Sequence, residues 1–363
     1  MSANPKVTLD IGPMLDDQWT GIPVFTRRLA QALLRHGGID VDFSYQLTRI
    51  PAPLVLSAIK AGTGTFLREA ILSIDSNAYD TVDREAPMLF PTAKNSCTIG
   101  GREASTVHDL STLLMPECHE EANVVYHMRN LRQDLDSDDA VFCVSEATRA
   151  ALALHYPSIA PKARVLYQYV DWPDSFEAMD RNLPMPRLGR YAVILGTLEP
   201  RKNLGLLIRA LARPEVRRSG IKFVVIGKKG WKVDQFLGEL SPQEHGRLMF
   251  SGFVSEFVKY RLLRHAEFLV YPSVYEGFGI PALEALSLGK PVLASLTSSF
   301  PEVIGEAGVY FDPFSVTDFA AAFKEIAHKK KQAQLAAKAL PVAAQFTWQR
   351  MADPVVAWAA ESS

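Results

Sequence analysis

The sequence predicts an α/β protein with two doubly wound parallel-sheet domains. The chain has 363 residues, and at roughly 100 to 200 residues per domain this length accommodates two domains. Short runs rich in Val, Ile, Leu and Phe alternate with helical segments along both halves of the chain. Such alternation is typical of parallel sheets whose strands are covered by helices on both faces.

The first half opens with a strand, a loop and a helix. The run KVTLDI at residues 6–11 is closed by Gly12 and Pro13, and a helix is predicted to begin after Gly21. Apolar residues then recur at helical spacing in VFTRRLAQALLRHG, which ends at Gly37 and Gly38. Later runs in this half, VDFSY, AVFCV and RVLYQYV, are the next strand candidates.

A polar segment separates the two halves. Residues 171–190 contain three prolines and are typical of a linker. After it come the strand candidates YAVILG, KFVVIG, LMFSGFV, EFLVYPS, PVLAS and GVYFDP. We therefore expect a first domain at residues 1–175, a second domain at residues 176–342, and a C-terminal helix at residues 343–363 that packs back toward the first domain.

Charge is balanced over the whole chain but not between its halves. The 39 Lys and Arg residues against 40 Asp and Glu residues give a formal charge of −1, which argues against a protein that coats nucleic acid. Residues 1–180 carry 15 basic and 24 acidic residues, a net of −9, whereas residues 181–363 carry 24 and 16, a net of +8. We expect the basic half to bind an anion, although two oppositely charged faces that attract each other would give the same asymmetry.

The composition predicts a reduced, cytoplasmic protein without a structural zinc site. Cys97, Cys118 and Cys143 form no CxxC spacing, and the eight His residues form neither HxxxH nor HExxH. The sequence has no apolar leader and no run of about 18 apolar residues. Residues 51–74 are apolar enough either to touch a membrane or to form a core helix pair, and the core pair is the more frequent explanation.

The most informative segment is YPSVYEGFGIPALEALSLGKPVLAS, in which a strand is predicted to end at Pro272. Residues 276–279, EGFG, form the following loop, and Pro281 marks the start of a helix. Glycines permit a close approach of the backbone to a ligand, and the N–H groups at a helix N-terminus favour an anion. This loop is therefore predicted to hold phosphate and sugar.

Two glutamates of this segment, Glu276 and Glu284, are separated by seven residues. The first lies in the loop and the second in the helix, so both can point toward a crevice at the carboxyl ends of the strands, where ligands of open α/β sheets bind. The alternative is that Glu276 caps the helix and that Glu284 is solvated.

A second segment, GTLEPRKNLGLLIRAL, supplies cations at the same predicted edge of the sheet. Its strand ends at Gly196, and Arg201 and Lys202 lead into the next helix. A planar guanidinium and a compact ammonium placed together can neutralise two phosphates. The pair is predicted to bind a diphosphate, with a solvated basic face as the alternative.

Several motifs in the same order resemble the retaining nucleotide-sugar glycosyltransferases of family 4: GTLEPRKN, VVIGKKGW, GFVSE, YPSVYEGFGIPALEALSLGKPV and SSFPEVIGEAGVYFDP. The resemblance covers nearly all of residues 190–320, and Glu276 and Glu284 match the family's two glutamates separated by seven residues. TGIPVFTRRLAQAL, TVHDLSTLLMPECH and VSEATRAAL in the first half match less specifically. Within the family, the nearest resemblance is to mannosyltransferases that build bacterial O-antigen and exopolysaccharide chains. It implies the GT-B fold, in which two Rossmann-like domains face a central cleft.

The resemblance also implies a role for each matching residue. Arg201 and Lys202 would hold the donor diphosphate, Glu284 would bond the ribose hydroxyls, and Glu276 would contact hydroxyls of the transferred sugar. Backbone N–H groups would complete this cradle at Gly277, Phe278 and Gly279.

Three residues of the first domain are assigned in the same way. The resemblance implies that His108 lies beside the anomeric carbon and Asp109 near it, although a buried structural histidine explains the same sequence equally well. Gly21 would let the first loop approach the diphosphate. The chain departs from the family at Pro23, which lacks an N–H group, and at YQYVDW in residues 167–172, where relatives commonly carry Asn-Gly.

The implied reaction is hexosyl transfer, with retention, from a nucleoside diphosphate sugar to a hydroxyl of a glycan or a lipid-linked glycan. The expected donor is GDP-mannose, with UDP-hexose as the alternative. Front-face attack is preferred to a covalent intermediate on Glu276. No cofactor is expected, and no metal, because the second domain has no DxD pair near a strand end and Arg201 and Lys202 would take the place of a metal.

Two other functions remain open from the sequence: a sugar-nucleotide epimerase and a non-catalytic nucleotide-sugar-binding partner protein. Peripheral contact with the inner face of the cell membrane is a further expectation, and the oligomeric state is left open.

Overall fold

The computed structural model describes residues 4–72, 81–94, 98–228, 230, 238 and 241–361. The chain divides into two units, of which the first comprises residues 1–116, 120–169 and 347–363 and the second residues 117–119 and 170–346. Each unit contains one predominantly parallel sheet with helices between its strands. The predicted class, α/β with two parallel-sheet domains, is confirmed.

The first unit contains a seven-stranded sheet with the strand order β3-β2-β1-β4-β5-β6-β7. All neighbouring strands are parallel except β2 and β3, which form an antiparallel pair at one edge. The strands are β1 Lys6–Asp10, β2 Asp40–Tyr45, β3 Thr48–Ile50, β4 Met88–Phe90, β5 Glu103–Val107, β6 Ala140–Cys143 and β7 Ala163–Val165.

Glycine and serine residues set the ends of two helices in the first unit. The first begins after Gly21, which has φ +55°, and ends at Gly37, which has φ +67°; both angles lie in the region that favours glycine. Ser145 caps another helix by accepting a hydrogen bond from the Thr148 N–H group. The α-helices are Ile22–His36, Ala52–Ala61, Thr65–Leu72, Ser111–Leu114, Glu121–Ser137, Glu146–His155 and Trp348–Ala360.

The C-terminal helix completes the core of the first unit. Thr347 caps it by accepting a hydrogen bond from the Arg350 N–H group. The Trp358 side chain is fully buried and lies edge-on to the Phe142 ring of β6, with 6.0 Å between the ring centroids. The last helix is thus part of the first unit, although its sequence follows the whole of the second unit.

The second unit contains a six-stranded, entirely parallel sheet with the strand order β10-β9-β8-β11-β12-β13. Every residue of β8, β11 and β12 is buried, because helices cover both faces of these central strands. The strands are β8 Tyr191–Leu195, β9 Lys222–Ile226, β10 Leu248–Gly252, β11 Leu269–Tyr271, β12 Val292–Ser295 and β13 Gly308–Phe311.

Helices connect the strands of the second unit, and short 3₁₀ helices occur along the chain. The α-helices of the second unit are Asp174–Arg181, Leu204–Leu211, Pro214–Arg217, Pro242–His245, Glu256–Arg264, Ile280–Ser287, Phe300–Ile304, Val316–Ile326 and Lys329–Ala343. Short 3₁₀ helices along the chain are Gly12–Leu15, Pro116–Cys118, Pro157–Lys162, Pro200–Lys202 and Gly305–Ala307.

The segment predicted to be a linker, residues 171–190, contains a helix that is packed within the second unit. The Asp180 carboxylate accepts hydrogen bonds from Arg261 at 2.6 Å and from His265 at 2.8 Å, and the Phe176 ring lies 5.6 Å from that of Tyr260. The prolines and polar residues of this segment suggested an exposed connection. The charge of Asp180 is instead compensated by Arg261 and His265, at the end of the helix Glu256–Arg264.

The apolar segment at residues 51–74 forms two short helices, Ala52–Ala61 and Thr65–Leu72. Val55, Ala58 and Leu67 are buried. Large apolar side chains on the same helices are exposed: Leu56, Phe66 and Leu72. Residues 73 and 74 lie outside the described residues.

Two observations bear on membrane insertion and on the cysteines. Among the described residues, none of the helices is long and apolar enough to cross a membrane. The side chains of Cys118 and Cys143 are buried and are not joined in a disulfide, and Cys97 lies outside the described part of the chain.

Candidate functional site

The strand order of the second sheet creates a topological switch point at the carboxyl ends of β8 and β11. These strands are neighbours, but the chain continues from β8 toward β9 on one side and from β11 toward β12 on the other. The connecting segments therefore diverge, and ligands of open α/β sheets bind at such a switch point. The segment after β8 carries Arg201 and Lys202, and the segment after β11 carries Glu276.

These three residues form one ionic cluster. The Lys202 ammonium donates a hydrogen bond to Glu276 Oε1 at 2.5 Å, and Arg201 Nη1 lies 3.1 Å from Glu276 Oε2. The other terminal nitrogen of Arg201 donates to the Glu199 carboxylate at 2.8 Å. Lys202 and Arg201 keep 15% and 12% of their side-chain surface exposed, so an anion in solvent can reach them.

Local backbone conformation brings the cations to this position. Gly196 ends β8 with φ +138°, and a single 3₁₀ turn at Pro200–Lys202 is followed by Asn203 with φ +54°. The Asn203 side chain donates a hydrogen bond to the Pro313 carbonyl at 2.8 Å, which supports this left-handed conformation. The Arg201 carbonyl accepts a hydrogen bond from the Val274 N–H group at 2.9 Å, joining the two loops.

The loop at residues 276–279 is held by a pair of serines that follow β12. Ser298 Oγ accepts a hydrogen bond from the Glu276 N–H group at 3.0 Å, and Ser299 Oγ donates to the carbonyls of Glu276 and Phe278. Gly279 has φ +92° and precedes the helix Ile280–Ser287. A Cβ atom at Gly279 would lie 3.1 Å from Phe300, so both conformation and space favour glycine.

The electrostatics of the cluster are set by the two cations. Burial alone would raise the pKa of the Glu276 carboxyl, but Arg201 and Lys202 outweigh burial and lower the pKa to about 2. The Lys202 ammonium also lies 5.4 Å from the centre of the Tyr271 ring. Burial and the neighbouring Glu276 carboxylate raise the pKa of the Tyr271 hydroxyl well above its usual value. Glu276 is therefore ionised and Tyr271 neutral at physiological pH.

Glu284 lies in the helix that follows the loop and has a different cationic partner. Lys259 donates a hydrogen bond to Glu284 Oε1 at 2.7 Å, and the Glu284 side chain is only 2% exposed. The alternative that Glu284 is solvated is therefore wrong. So is the alternative that Glu276 caps the helix, because the N-cap position is Gly279 and no side chain caps it.

In the first unit, His108 follows β5 and is fixed by its surroundings. His108 Nε2 lies 2.7 Å from the Pro91 carbonyl, and the imidazole packs edge-on against the Phe25 ring at 4.7 Å. A carbonyl only accepts, so Nε2 carries the proton. Burial is the main cause that lowers the pKa of His108, and it outweighs the opposing effects of Pro91 and Asp109. The side chain is thus a neutral imidazole near pH 7.

Asp109 and Gly21 occupy loop positions of the first unit. The Asp109 carboxylate accepts hydrogen bonds from the Ser111 N–H group at 2.8 Å and from the Ser111 hydroxyl at 2.6 Å, which organises the turn into the helix Ser111–Leu114. Gly21 directly precedes the helix Ile22–His36, and Pro23 lies in the first turn of that helix. Proline is well tolerated there because the first N–H groups of a helix have no partner within it.

The structure thus brings Arg201, Lys202 and Glu276 into direct contact and gives Glu284 a separate ion pair in the same unit. Two polar partners, Glu199 and Lys259, did not emerge from the sequence. Glu199 stands two residues before Arg201 in the motif GTLEPRKN, so this short separation in sequence could have indicated their contact. Lys259 is 25 residues from Glu284, and no local pattern connects them.

Side chains that could bind a metal are not clustered in the described part of the chain. Within that part of the chain, no three His, Cys, Asp or Glu side chains are grouped so that they could hold a metal ion.

Comparisons with known proteins show that this chain is similar to glycosyltransferases. The family "Glycosyl transferases group 1" matches residues 176–340, which include the whole ionic cluster and Glu284. The O-antigen chain mannosyltransferase B of Escherichia coli is 33% identical over 258 residues, covering 68% of this chain and 67% of that protein. This chain belongs to the group 1 glycosyltransferases.

Two further comparisons define the extent of the similarity. The serotype-specific mannosyltransferase WbdA of Escherichia coli is 28% identical over 257 residues; the match covers 66% of this chain but only 31% of WbdA. The structure of sucrose-phosphate synthase from Thermosynechococcus elongatus superimposes with a TM-score of 0.69 at 18% identity, covering 99% of both chains. The resemblance to GT-B glycosyltransferases near the O-antigen mannosyltransferases is thereby confirmed.

Proposed function

We propose that this glycosyltransferase moves a mannosyl residue, with retention, from GDP-mannose to a hydroxyl of a glycan or a lipid-linked glycan. The observation that carries the proposal is the cluster of Arg201, Lys202 and Glu276 at the switch point of the second sheet. The mannosyltransferase relatives support the choice of sugar. UDP-hexose is the alternative donor, because guanine and uracil would be read by loop backbone rather than by this cluster.

The roles proposed for residues of the second unit are based on the charges of their side chains. Arg201 and Lys202 bind the diphosphate, which displaces part of their pairing with Glu276, and Glu276 then accepts hydrogen bonds from hydroxyls of the transferred sugar. Glu284 accepts hydrogen bonds from the ribose hydroxyls. Backbone N–H groups at Gly277, Phe278 and Gly279 contribute to the same cradle, next to the N-terminus of a helix that favours an anion.

The proposed chemistry is a front-face displacement. The bond between the anomeric carbon and the diphosphate oxygen breaks, and the acceptor oxygen forms its bond to the same face of the sugar. The acceptor proton passes to an oxygen of the leaving diphosphate. Arg201 and Lys202 stabilise the negative charge that develops on the leaving group, so we propose that no divalent metal and no cofactor are required.

The first unit is proposed to supply His108 beside the anomeric carbon, with Asp109 near it and Gly21 close to the diphosphate. The fixed neutral tautomer of His108 supports this role, because a neutral ring avoids placing a full positive charge beside an oxocarbenium-like carbon. Asp109 would act by shaping the turn that follows His108, as its bonds to Ser111 indicate.

We further propose that the enzyme works at the cytoplasmic side of the cell membrane, where a lipid-linked acceptor would be presented. The exposed Leu56, Phe66 and Leu72 side chains support peripheral contact of residues 51–74 with that surface. Co-sedimentation with anionic vesicles tests this part: a variant with all three residues changed to Ser should lose binding, and equal sedimentation of both proteins would contradict it.

The decisive experiment combines binding and product analysis. Calorimetry with GDP, UDP and ADP should show the tightest binding for GDP. Incubation with GDP-mannose and a lipid-linked glycan should give an α-mannoside by NMR, since the donor itself is α-linked and retention preserves that configuration. A β-linked product would contradict retention, and tighter binding of UDP would transfer the proposal to a UDP-hexose donor.

A further inference from the structure

A second buried ion pair lies in the donor-binding unit and is not explained by the roles given above. Lys259 is on the helix Glu256–Arg264, and Glu284 is on the helix Ile280–Ser287. The Lys259 ammonium donates a hydrogen bond to Glu284 Oε1 at 2.7 Å, with 19% of the lysine and 2% of the glutamate side chain exposed. A carboxylate this deeply buried is costly unless a cation compensates it.

Trp172 is a second contact of the Lys259 ammonium. The ammonium lies 5.2 Å from the centre of the indole ring, within the range of a cation–π contact. The indole N–H group donates a hydrogen bond to Ser287 Oγ at 2.9 Å, and Ser287 Oγ donates in turn to the Glu284 carbonyl at 2.8 Å. Trp172 is therefore anchored to the same helix that carries Glu284.

These contacts form a closed chain of four residues. Glu284 is bonded to Lys259, Lys259 lies over Trp172, Trp172 is bonded to Ser287, and Ser287 is bonded to the backbone of Glu284. Because each link restricts the next, the Glu284 carboxylate has a fixed orientation as well as a compensated charge. A carboxylate that must accept hydrogen bonds from two neighbouring hydroxyls requires both properties.

We propose that Lys259 is a positioning residue for nucleotide binding: it holds the Glu284 carboxylate in an orientation toward the ribose hydroxyls, and Trp172 keeps Lys259 in place. Lys259 itself does not touch the ribose. This inference rests on the proposed role of Glu284, and it adds a residue that the glutamate motif does not contain. The helices Glu256–Arg264 and Ile280–Ser287 then both contribute to donor recognition.

A purely structural ion pair would behave differently from a positioning one. If Lys259 only stabilises the fold, its loss lowers the melting temperature and leaves the recognition of ribose unchanged. If it orients Glu284, its loss specifically removes the preference for a nucleotide that carries the ribose hydroxyls. The ratio of dissociation constants for GDP and 2′-deoxy-GDP measures this preference and is insensitive to a uniform loss of stability.

The experiment is calorimetric titration of both nucleotides into the full chain and four variants. A hydrogen bond to a charged group contributes about 1.5 to 3 kcal/mol, so the unmodified protein should prefer GDP by about 10-fold or more. We expect K259M and E284Q to reduce that preference to less than about threefold. K259R, which retains the charge, should restore most of it. K338M is the control, because it breaks the exposed ion pair of Lys338 with Glu306, also 2.7 Å long.

If K259M keeps the preference for GDP over 2′-deoxy-GDP while E284Q loses it, the proposed role of Lys259 is wrong and the proposed role of Glu284 stands. An E284Q variant with full preference, or failure of the unmodified chain to bind GDP or UDP, would overturn the proposed function and this inference with it. Should K259M not fold, K259Q serves instead, because it keeps a hydrogen-bond donor without the charge. Circular dichroism establishes folding, and the same loss of preference is expected for K259Q.

Discussion

Lys202 and Glu276 are 74 residues apart in sequence, yet the lysine ammonium lies 2.5 Å from the glutamate carboxylate. They meet because β8 and β11 are neighbouring strands, so the segments that leave their carboxyl ends start side by side. Arg201 contacts the same carboxylate through its other oxygen. The cluster is thus pre-assembled, with an anionic side chain between two cations that a diphosphate could bind.

Loss of either cation should weaken binding of a nucleoside diphosphate. R201A and K202A each remove a charge-assisted contact of about 1.5 to 3 kcal/mol, which corresponds to roughly a 10-fold to 100-fold rise in the dissociation constant. Calorimetry with GDP measures this change. R218A, at an exposed arginine of the same unit, is the control and should bind like the unmodified chain. Full affinity in both cation variants would contradict the assignment of the diphosphate site.

Replacement of Glu276 should affect turnover more than nucleotide affinity. E276Q keeps the size of the side chain but removes its charge, so contacts with the hydroxyls of the transferred sugar weaken while Arg201 and Lys202 remain available for the diphosphate. We expect kcat to fall by about 100-fold, in line with the loss of one strong electrostatic contact in the transition state, and the affinity for GDP to be kept or improved. A large loss of GDP affinity with normal kcat would assign Glu276 to the nucleotide instead.

The lowered pKa of Glu276 predicts how the free energy of unfolding depends on pH. The folded pKa of Glu276 is about 2, below the ordinary value of 4.5, so its contribution to stability is present above about pH 4.5 and is lost as the pH falls toward 2. The shift corresponds to roughly 3 kcal/mol. The free energy of unfolding in urea, measured between pH 6 and pH 3, should therefore decrease more for the unmodified chain than for E276Q. Parallel curves for the two proteins would show that the ion pairs do not stabilise the folded state.

Replacement of His108 tests whether this residue acts in catalysis or in core packing. H108A should lower kcat by at least about 10-fold while the protein remains folded, because the ring would act beside the reacting carbon. H155A, at an exposed histidine of the same unit, should have normal activity. Melting temperature and activity per folded molecule are measured together. A steep fall in melting temperature with normal activity per folded molecule would identify His108 as a structural residue.

Chelation tests whether a metal takes part. If Arg201, Lys202 and a helix N-terminus hold the diphosphate charge, excess EDTA should leave the initial rate within about twofold of its value, whereas a metal-dependent enzyme would lose the stabilisation that its ion supplies. The rate is measured with donor and acceptor at saturation. Restoration of a lost rate by added Mg²⁺ or Mn²⁺ would contradict the proposal.

Much of the second unit could be predicted from local sequence. The buried runs YAVILG and EFLVYPS correspond to β8 and β11, and Gly279 and Pro281 stand at the start of the predicted helix. Such features depend on apolar periodicity and on backbone preferences of glycine and proline, which act over a few residues. The linker at residues 171–190 was less predictable, because whether Asp180 is solvated or buried depends on Arg261 and His265 about 80 residues later.

The sequence by itself determined the α/β class, the two parallel sheets and the set of residues from which a donor site could be built. It did so because strands, helix starts and glycine turns are encoded locally. The tertiary structure alone decided which charges meet: Glu276 pairs with Arg201 and Lys202, and Glu284 pairs with Lys259. Ion pairing falls off steeply with distance, and distances between remote residues are set by the order in which strands pair.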